Sequence, residues 1–449
     1  MERILTIDEF YKGETLKPEF VAKIKQFEEV VYEMVKIMNH IHETNYSYRF
    51  WKLIVTDYVN YKLQKKKILS AKIDTSSPGL KANLMQKLVY LYKSLSNFDG
   101  LKRINEVLSA ENNITHGFHD IEMIEKKVGK NIPSYFPVIM RKGNIKKRER
   151  ANKLAGQYSD FFYKNIILQL PDIFVEHFDY IYNLYPLVNP TAKSFHVSFI
   201  VSEYVKIMIA KYVENGAKLY FYSHGAGGGE IKDTAIFHDT SVSDNYYTWG
   251  WKINETEIPG KAYRCYGFKK IYDQQEKKIL YDCALAFNAL DESDKKFFTP
   301  ITNYFLSNID LKKYSRILAR PRPTRKWENM KKQLSFLNHK NIILDSGRTK
   351  LAVIAAKTKV MITFAWVYPQ TSFSECIYVD HPTVCMVIDW DYTTIFEPYY
   401  HFLIEQKVFH ESVESLVDHL NKVNIDEWWS VLIKNPMYKE FKYKFLREV

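Results

Sequence analysis

The sequence predicts an α/β protein of two doubly wound, Rossmann-like domains with a cleft between them. Three observations carry this expectation. The chain has 449 residues, and two domains of roughly 200 residues each is the natural division at that length. Apolar runs of strand length alternate with helical patterns of ten or so residues, which implies parallel sheets wound by right-handed crossovers. Two strands lead into ligand-friendly turns, "SHGAGGGE" from Ser223 and "TSFSE" from Thr371, and ligands in open parallel sheets sit at the carboxyl ends of strands.

The elements follow in order. Residues 18 to 66 alternate apolar and charged positions at helical spacing, as in "FEEVVYEMVKIMNHIHE". Residues 74 to 160 are polar and irregular, an insertion with a basic rim. "SEYVKIMIAKYVENGAK" is a helix that ends at Gly216 as its C′ residue. "KLYFYS" follows as a buried strand. In the second half, "YSRILARP", "NIILDS", "VMITFA" and "PTVCMVI" read as strands. "TRKWENMKKQLSFL", "KLAVIAAKTK" and "TSFSECIYVDH" read as the helices between them. The boundary falls in "KINETEIPG", giving domains 1–255 and 256–425. Residues 426–449 are expected as one aromatic-rich helix packing across both.

Composition narrows the function classes. The net charge of +12 attracts polyanions. No helix-turn-helix, zinc-finger or RNP-type pattern is present, so nucleic acid is not an expected partner. The basic residues cluster in "KLQKKKILSAK" (Lys62 to Lys72) and "RKGNIKKRERANK" (Arg141 to Lys153). These are either solvated helix faces or docking points for the acidic inner membrane leaflet, where each cation contributes about 1 kcal/mol. No apolar run approaches the ~20 residues that span a bilayer. The start, "MERILTIDEFYKGE", does not read as a secretory signal. Cys265, Cys283, Cys376 and Cys385 have no paired spacing and read as reduced thiols of a cytoplasmic protein, with no metal site and no cofactor implied.

Four stretches could carry chemistry. In "SHGAGGGE", Gly225 and Gly227 allow a backbone to approach an anion, and His224 could act as acid, base or hydrogen-bond donor. A structural histidine is the alternative. In "FHDTSVSDNYYTWGW", Asp239 and Asp244 flank a turn, and each is either a catalytic carboxylate or a turn and cap residue. In "TSFSECIYVDHPTV", Thr371, Ser372 and Ser374 open a helix whose free N–H groups suit phosphate, and Glu375 could accept from ribose hydroxyls. Plain capping is the alternative there. In "RILARPRPTRKW", Arg316, Arg320, Arg322 and Arg325 present guanidinium forks for phosphate or carboxylate. Among "NHIHETNYSYRFW", His40, His42, Arg49 and Trp51 suit helix packing better than a site.

The two-domain plan and "TSFSECIYVDHPTVCMV" resemble the GT-B glycosyltransferases. "MNHIHETNYSYRFWKLIV", "YVENGAKLYFYSHGAGGGEI", "VSDNYYTWGWK" and "PQTSFSECIYVDHPTV" are similar, in order, to a family of transferases from bacterial surface-carbohydrate loci. Enzymes of similar plan transfer Kdo from its CMP derivative. The resemblance implies a metal-independent glycosyltransferase. It would move Kdo or a sialic-acid-like nonulosonic acid from a CMP-activated donor to a glycan or lipid-linked glycan at the inner membrane face. Asp244, His224 and Asp239 would be catalytic, with Asp244 acting as base or as nucleophile. Gly225, Gly227, Arg320, Arg322, Thr371, Ser372, Ser374 and Glu375 would bind the donor. Ser223 and the glycine run depart from the family's usual residues, which implies a donor pocket different in detail. Two other functions compete: a transferase using an NDP-hexose or CDP-polyol phosphate, and a non-enzymatic, membrane-associated scaffold.

Overall fold

The computed structural model describes residues 6–69, 113–116, 130–132, 143–184, 193–198, 200, 203–225, 229, 232, 234–287, 292–321, 340–345, 349–366, 371–388 and 390–448. The chain divides into two units, Met1–Tyr222 with Thr234–Tyr246, and Ser223–Asp233 with Tyr247–Val449. The glycine corner thus leaves the flanking chain and joins the second unit. The sequence placed it in the first domain because it follows a first-domain strand. Long-range contacts decide its membership instead.

In the first unit, the strands run in the order β2 (Lys130–Ile132), β1 (Asn113–His116), β3 (Ser194–Val197), β4 (Lys218–Tyr222), β5 (Asn245–Thr248). The pairs β1–β2, β1–β3 and β3–β4 are parallel. The helix Pro18–His42 packs on Tyr48–Leu69, which also packs on Glu203–Glu214. The turn between the first two is closed by Asn39. Its Oδ1 accepts from Trp51 Nε1 at 2.8 Å, Tyr46 N at 3.0 Å and Thr44 Oγ1 at 3.0 Å. Trp51 is fully buried, in keeping with a packing role, and "NHIHETNYSYRFW" builds a corner between two helices where the spacing had suggested one helical stretch. The helix Glu203–Glu214 ends as expected. Gly216 adopts φ +95°, Ala217 N bonds Tyr212 O and Gly216 N bonds Val213 O, both at 3.0 Å, which is the Schellman arrangement.

Three cations of the insertion's basic run, Lys147, Arg148 and Arg150, are held by partners inside the first unit. Its described part includes the helix Ile145–Ala155. There Lys147 is buried between His42 and Asp179. Burial, with Lys147 beside it, lowers His42 to about 4, so its ring is neutral and accepts from Lys147. Arg148 pairs with Glu176 and Asp172, and Arg150 with Glu43. Lys146 and Lys153 of the same run are exposed.

In the second unit, an all-parallel sheet has the order β12-β11-β10-β7-β8-β9. Its strands are β7 (Tyr281–Phe287), β8 (Ile317–Pro321), β9 (Ile342–Leu344), β10 (Thr358–Trp366), β11 (Thr383–Ile388) and β12 (Phe409–His410). The strand β6 (Glu257–Pro259) belongs to the other sheet, as its edge strand beside β5. Alternate residues face opposite sides. Cys283, Leu285, Ile317 and Ile362 pack with the helices Glu292–Asn308 and Val413–Lys422. Ala284, Ala286, Leu318 and Met361 meet the helices Tyr263–Asp273 and Leu351–Ala356. The small residues on this second face let those helices lie close to the strands.

The C-terminal segment forms two helices where one was expected, Ile425–Leu432 and Pro436–Phe445. Asn435 caps the second through Met437 N, and Pro436 at its first position cannot continue the preceding helix. Their aromatic faces complete a cluster with Trp249, Trp251, Phe396 and Tyr399. The expected helix "TRKWENMKKQLSFL" lies outside the described residues.

Glu257 gives a stability prediction. Burial pushes its carboxyl up to about 7, against backbone hydrogen bonds from Ile253 and Asn254. The folded state therefore keeps a proton that the unfolded chain releases near 4.5. The stability tied to that proton is fully present below pH 4.5 and is lost as pH rises through about 7. Glu257→Gln should flatten this dependence, gaining up to ~3 kcal/mol relative to the parent above neutrality. Melting curves between pH 5 and 8.5 would check it, and identical slopes for both proteins would refute it.

Candidate functional site

The corner is latched at both ends within the second unit. Ser223 N donates to Tyr247 O at 2.8 Å, and Trp249 Nε1 donates to Ser223 O at 3.0 Å. Further on, Thr393 Oγ1 donates to Gly229 O at 2.6 Å, and Lys232 N to Asp391 O at 3.0 Å. Between these latches, Gly225 lies against the start of the helix Thr371–Tyr378. A Cβ at 225 would stand 2.7 Å from Thr371 Oγ1, so glycine is what permits this approach.

Two helices begin here side by side. Arg264, in the first turn of Tyr263–Asp273, donates through Nε to Glu375 Oε1 at 3.0 Å. At the far end, Tyr272 OH meets His381 Nδ1 at 3.2 Å. Burial keeps His381 neutral, its pKa pushed down to about 3. Ties at matching ends mean the helices run parallel, so their positive dipole ends lie together. Side-by-side parallel dipoles repel, and an anion at their amino ends relieves that repulsion. The second contact of Arg264 is its Nη1, 3.5 Å from His224 Nε2. His224, Gly225, Thr371 and Ser372 are half-buried, while Ser374 and Glu375 are buried.

Arg320 approaches the same helix from the end of β8. Its Nη2 donates to Thr349 O at 3.1 Å, and its Nε lies 3.6 Å from Asp345 Oδ2. Burial lowers its pKa, and the charges of Asp345 and Glu375 oppose that shift. Glu375 thus sits in the field of two guanidinium groups. β8, β7 and β10 are neighbours in the sheet. The order reverses between β7 and β10, the place where doubly wound sheets leave a crevice for ligands.

Of the residues expected in the site, His224, Gly225, Arg320, Thr371, Ser372, Ser374 and Glu375 fall in this one unit. Gly227 and Arg322 lie outside the described residues. Asp239 and Asp244 belong to the first unit. Asp239 is half-buried on the helix Thr234–Val242. Asp244 Oδ2 accepts from Arg49 Nη2 and Leu219 N, both at 2.8 Å, and Oδ1 from Lys218 Nζ at 2.9 Å. Burial raises its pKa, but these bonds outweigh that and hold it below the usual value. A carboxylate so held is a weak base and a firm structural tie. Sequence reasoning missed Arg264. The one cue was a cation in a helix's first turn, where the dipole disfavours it.

Among the described residues, no group of three or more His, Cys, Asp or Glu could hold a metal ion, and no helix is long and apolar enough to cross a membrane. All four cysteines are buried thiols, and none is in a disulfide.

Parallel strands, a reversal of strand order and converging helix starts define a doubly wound, Rossmann-like unit. Residues 101–449 match the model of the LIC12162 family transferase, and the chain belongs to that family. No curated protein matches the chain. Among solved structures, the wall teichoic acid polymerase TagF is similar at 10% identity and TM-score 0.38, over 82% of this chain and 94% of that one. A UDP-forming α,α-trehalose-phosphate synthase from Burkholderia xenovorans is similar at 10% identity and TM-score 0.41, over 73% of this chain and 95% of that one.

Asp244→Asn should lower stability by about 1–3 kcal/mol through the loss of charge-assisted hydrogen bonds. Because the folded pKa is depressed, this stability is present above about pH 4 and lost as pH falls through the folded value. Calorimetry at pH 7 and pH 3 would check it. Equal losses at both pH values would show that the charge is not what ties Asp244 in place.

Proposed function

We propose that the chain is a GT-B glycosyltransferase that moves a keto-sugar acid, Kdo or a sialic-acid-like nonulosonic acid, from its CMP derivative to a surface-glycan acceptor. The observation that carries this is the meeting of two parallel helix starts, Arg264, Arg320 and His224 at the carboxyl side of a parallel sheet. Such a donor brings two anionic groups, a phosphate and a carboxylate, and this place offers helix N–H groups and two guanidinium groups for them. Glu375 accepts from the ribose hydroxyls. Thr371 and Ser372 donate to the phosphate.

In the transfer, the oxygen of an acceptor hydroxyl attacks the anomeric carbon, the bond from that carbon to the CMP phosphate oxygen breaks with its electron pair leaving on CMP, and the hydroxyl's proton passes to the departing phosphate or to water. Negative charge grows on the departing phosphate. Fixed donors aimed at it lower the barrier because they need not reorganise as the charge develops. His224 serves as one of these donors. The carboxylate tied up as Asp244 is left to hold the first unit together.

CMP should raise the melting temperature more than UDP or GDP does. At a hundredfold excess over its dissociation constant the gain is about 2.7 kcal/mol. Stabilisation by UDP or GDP alone would remove the CMP assignment.

A further inference from the structure

We infer that Arg264 is the positioning residue that sets the tautomer of His224, placing the ring's proton on Nδ1 so that His224 acts as a hydrogen-bond donor to the anionic donor substrate. The argument starts from what arginine can do. Its guanidinium has N–H groups only, carries no acceptor and keeps its charge at every relevant pH. An N–H facing a ring nitrogen requires a lone pair there. Arg264 Nη1 stands 3.5 Å from His224 Nε2, so Nε2 is the acceptor and the proton of the neutral ring belongs on Nδ1. In a histidine, the bond made by one nitrogen decides the state of the other.

The arginine is itself fixed. Its Nε–H is held by Glu375 at 3.0 Å, a charge-assisted bond to a side chain that is 8% exposed. Its backbone lies in the first turn of the helix Tyr263–Asp273. Ring, guanidinium and carboxylate therefore form a chain in which Glu375 aims Arg264 and Arg264 aims His224. The same chain places Arg264's charge beside the helix starts, where it also attracts the donor's phosphate. This inference deepens the proposed function and rests on it for the identity of the anion, but the tautomer is a property of the protein alone.

Long-range proton–nitrogen NMR of the histidine rings, with His224 assigned by His224→Gln, would test it. The wild-type protein should show His224 with a protonated Nδ1 and a bare Nε2 at neutral pH. Arg264→Met should move the ring toward the Nε2-protonated form, and Arg264→Lys, which keeps N–H donors and carries no acceptor, should retain the wild-type form. A wild-type ring protonated on Nε2, or one unchanged in Arg264→Met, would overturn the inference. Should Arg264→Met fail to fold, the wild-type spectrum and Arg264→Lys still decide it. In parallel, titration with CMP as the probe should show about tenfold weaker binding to Arg264→Met. Unchanged CMP affinity would overturn the role of Arg264 toward the donor. If the wild-type protein itself binds no CMP, the donor assignment falls, and the tautomer result stands or falls separately.

Discussion

The reversal of strand order between β7 and β10 is the constraint on which the second unit depends. From β7 the sheet grows through β8 to β9, then returns to the other side of β7 with β10. Crossovers on the two sides leave the sheet in opposite senses, which in such sheets opens a gap at the carboxyl edge. Everything chemical in this unit is arranged around that edge. Arg320 stands at the end of β8, Thr371 opens the helix after β10, and the corner at His224 is drawn in by its contact with Thr371. The parallel pairing of two helix starts follows from the same geometry, because their helices lie on one face of one sheet.

Much of this was legible in the sequence. The strands β4, β8, β9, β10 and β11 are β-branched or aromatic runs bounded by turns, and each was placed within a few residues. The helix end at Gly216 and the helix opening at Thr371 were marked by residue types with a single conformational use. β7 escaped notice although it lies at the centre of the sheet. Its "CALA" core is poor in the residues that favour strands, because both faces are covered closely and small side chains are what fit. The split between the last two helices was written in Asn435-Pro436 but hidden by strong aromatic periodicity on either side.

Long-range pairing was not legible. The membership of the corner in the second unit rests on Tyr247, Trp249, Thr371, Asp391 and Thr393, far apart along the chain. The basic run around Lys147 looked like surface because its partners, His42, Glu43, Glu176 and Asp179, come from other segments. For the same reason Asp244 read as either a catalytic carboxylate or a turn residue: its place between a turn and an aromatic strand gives no sign of the arginine nearly two hundred residues earlier that pairs with it. Arg264 had no motif at all, and only its neighbours give it a role.

The path of the chain has a consequence for dissection. The polypeptide enters the second unit at Ser223, goes back at Thr234 and leaves the first unit for good after Tyr246. No single cut can therefore free either unit intact. A fragment beginning at Tyr247 would retain the six-stranded sheet and both helix starts yet lack the histidine loop, and a fragment ending there would carry that loop as a dangling excursion. Proteolysis, recombination between relatives or a split-protein design would each have to respect three junctions, so the halves of this molecule are inherited together.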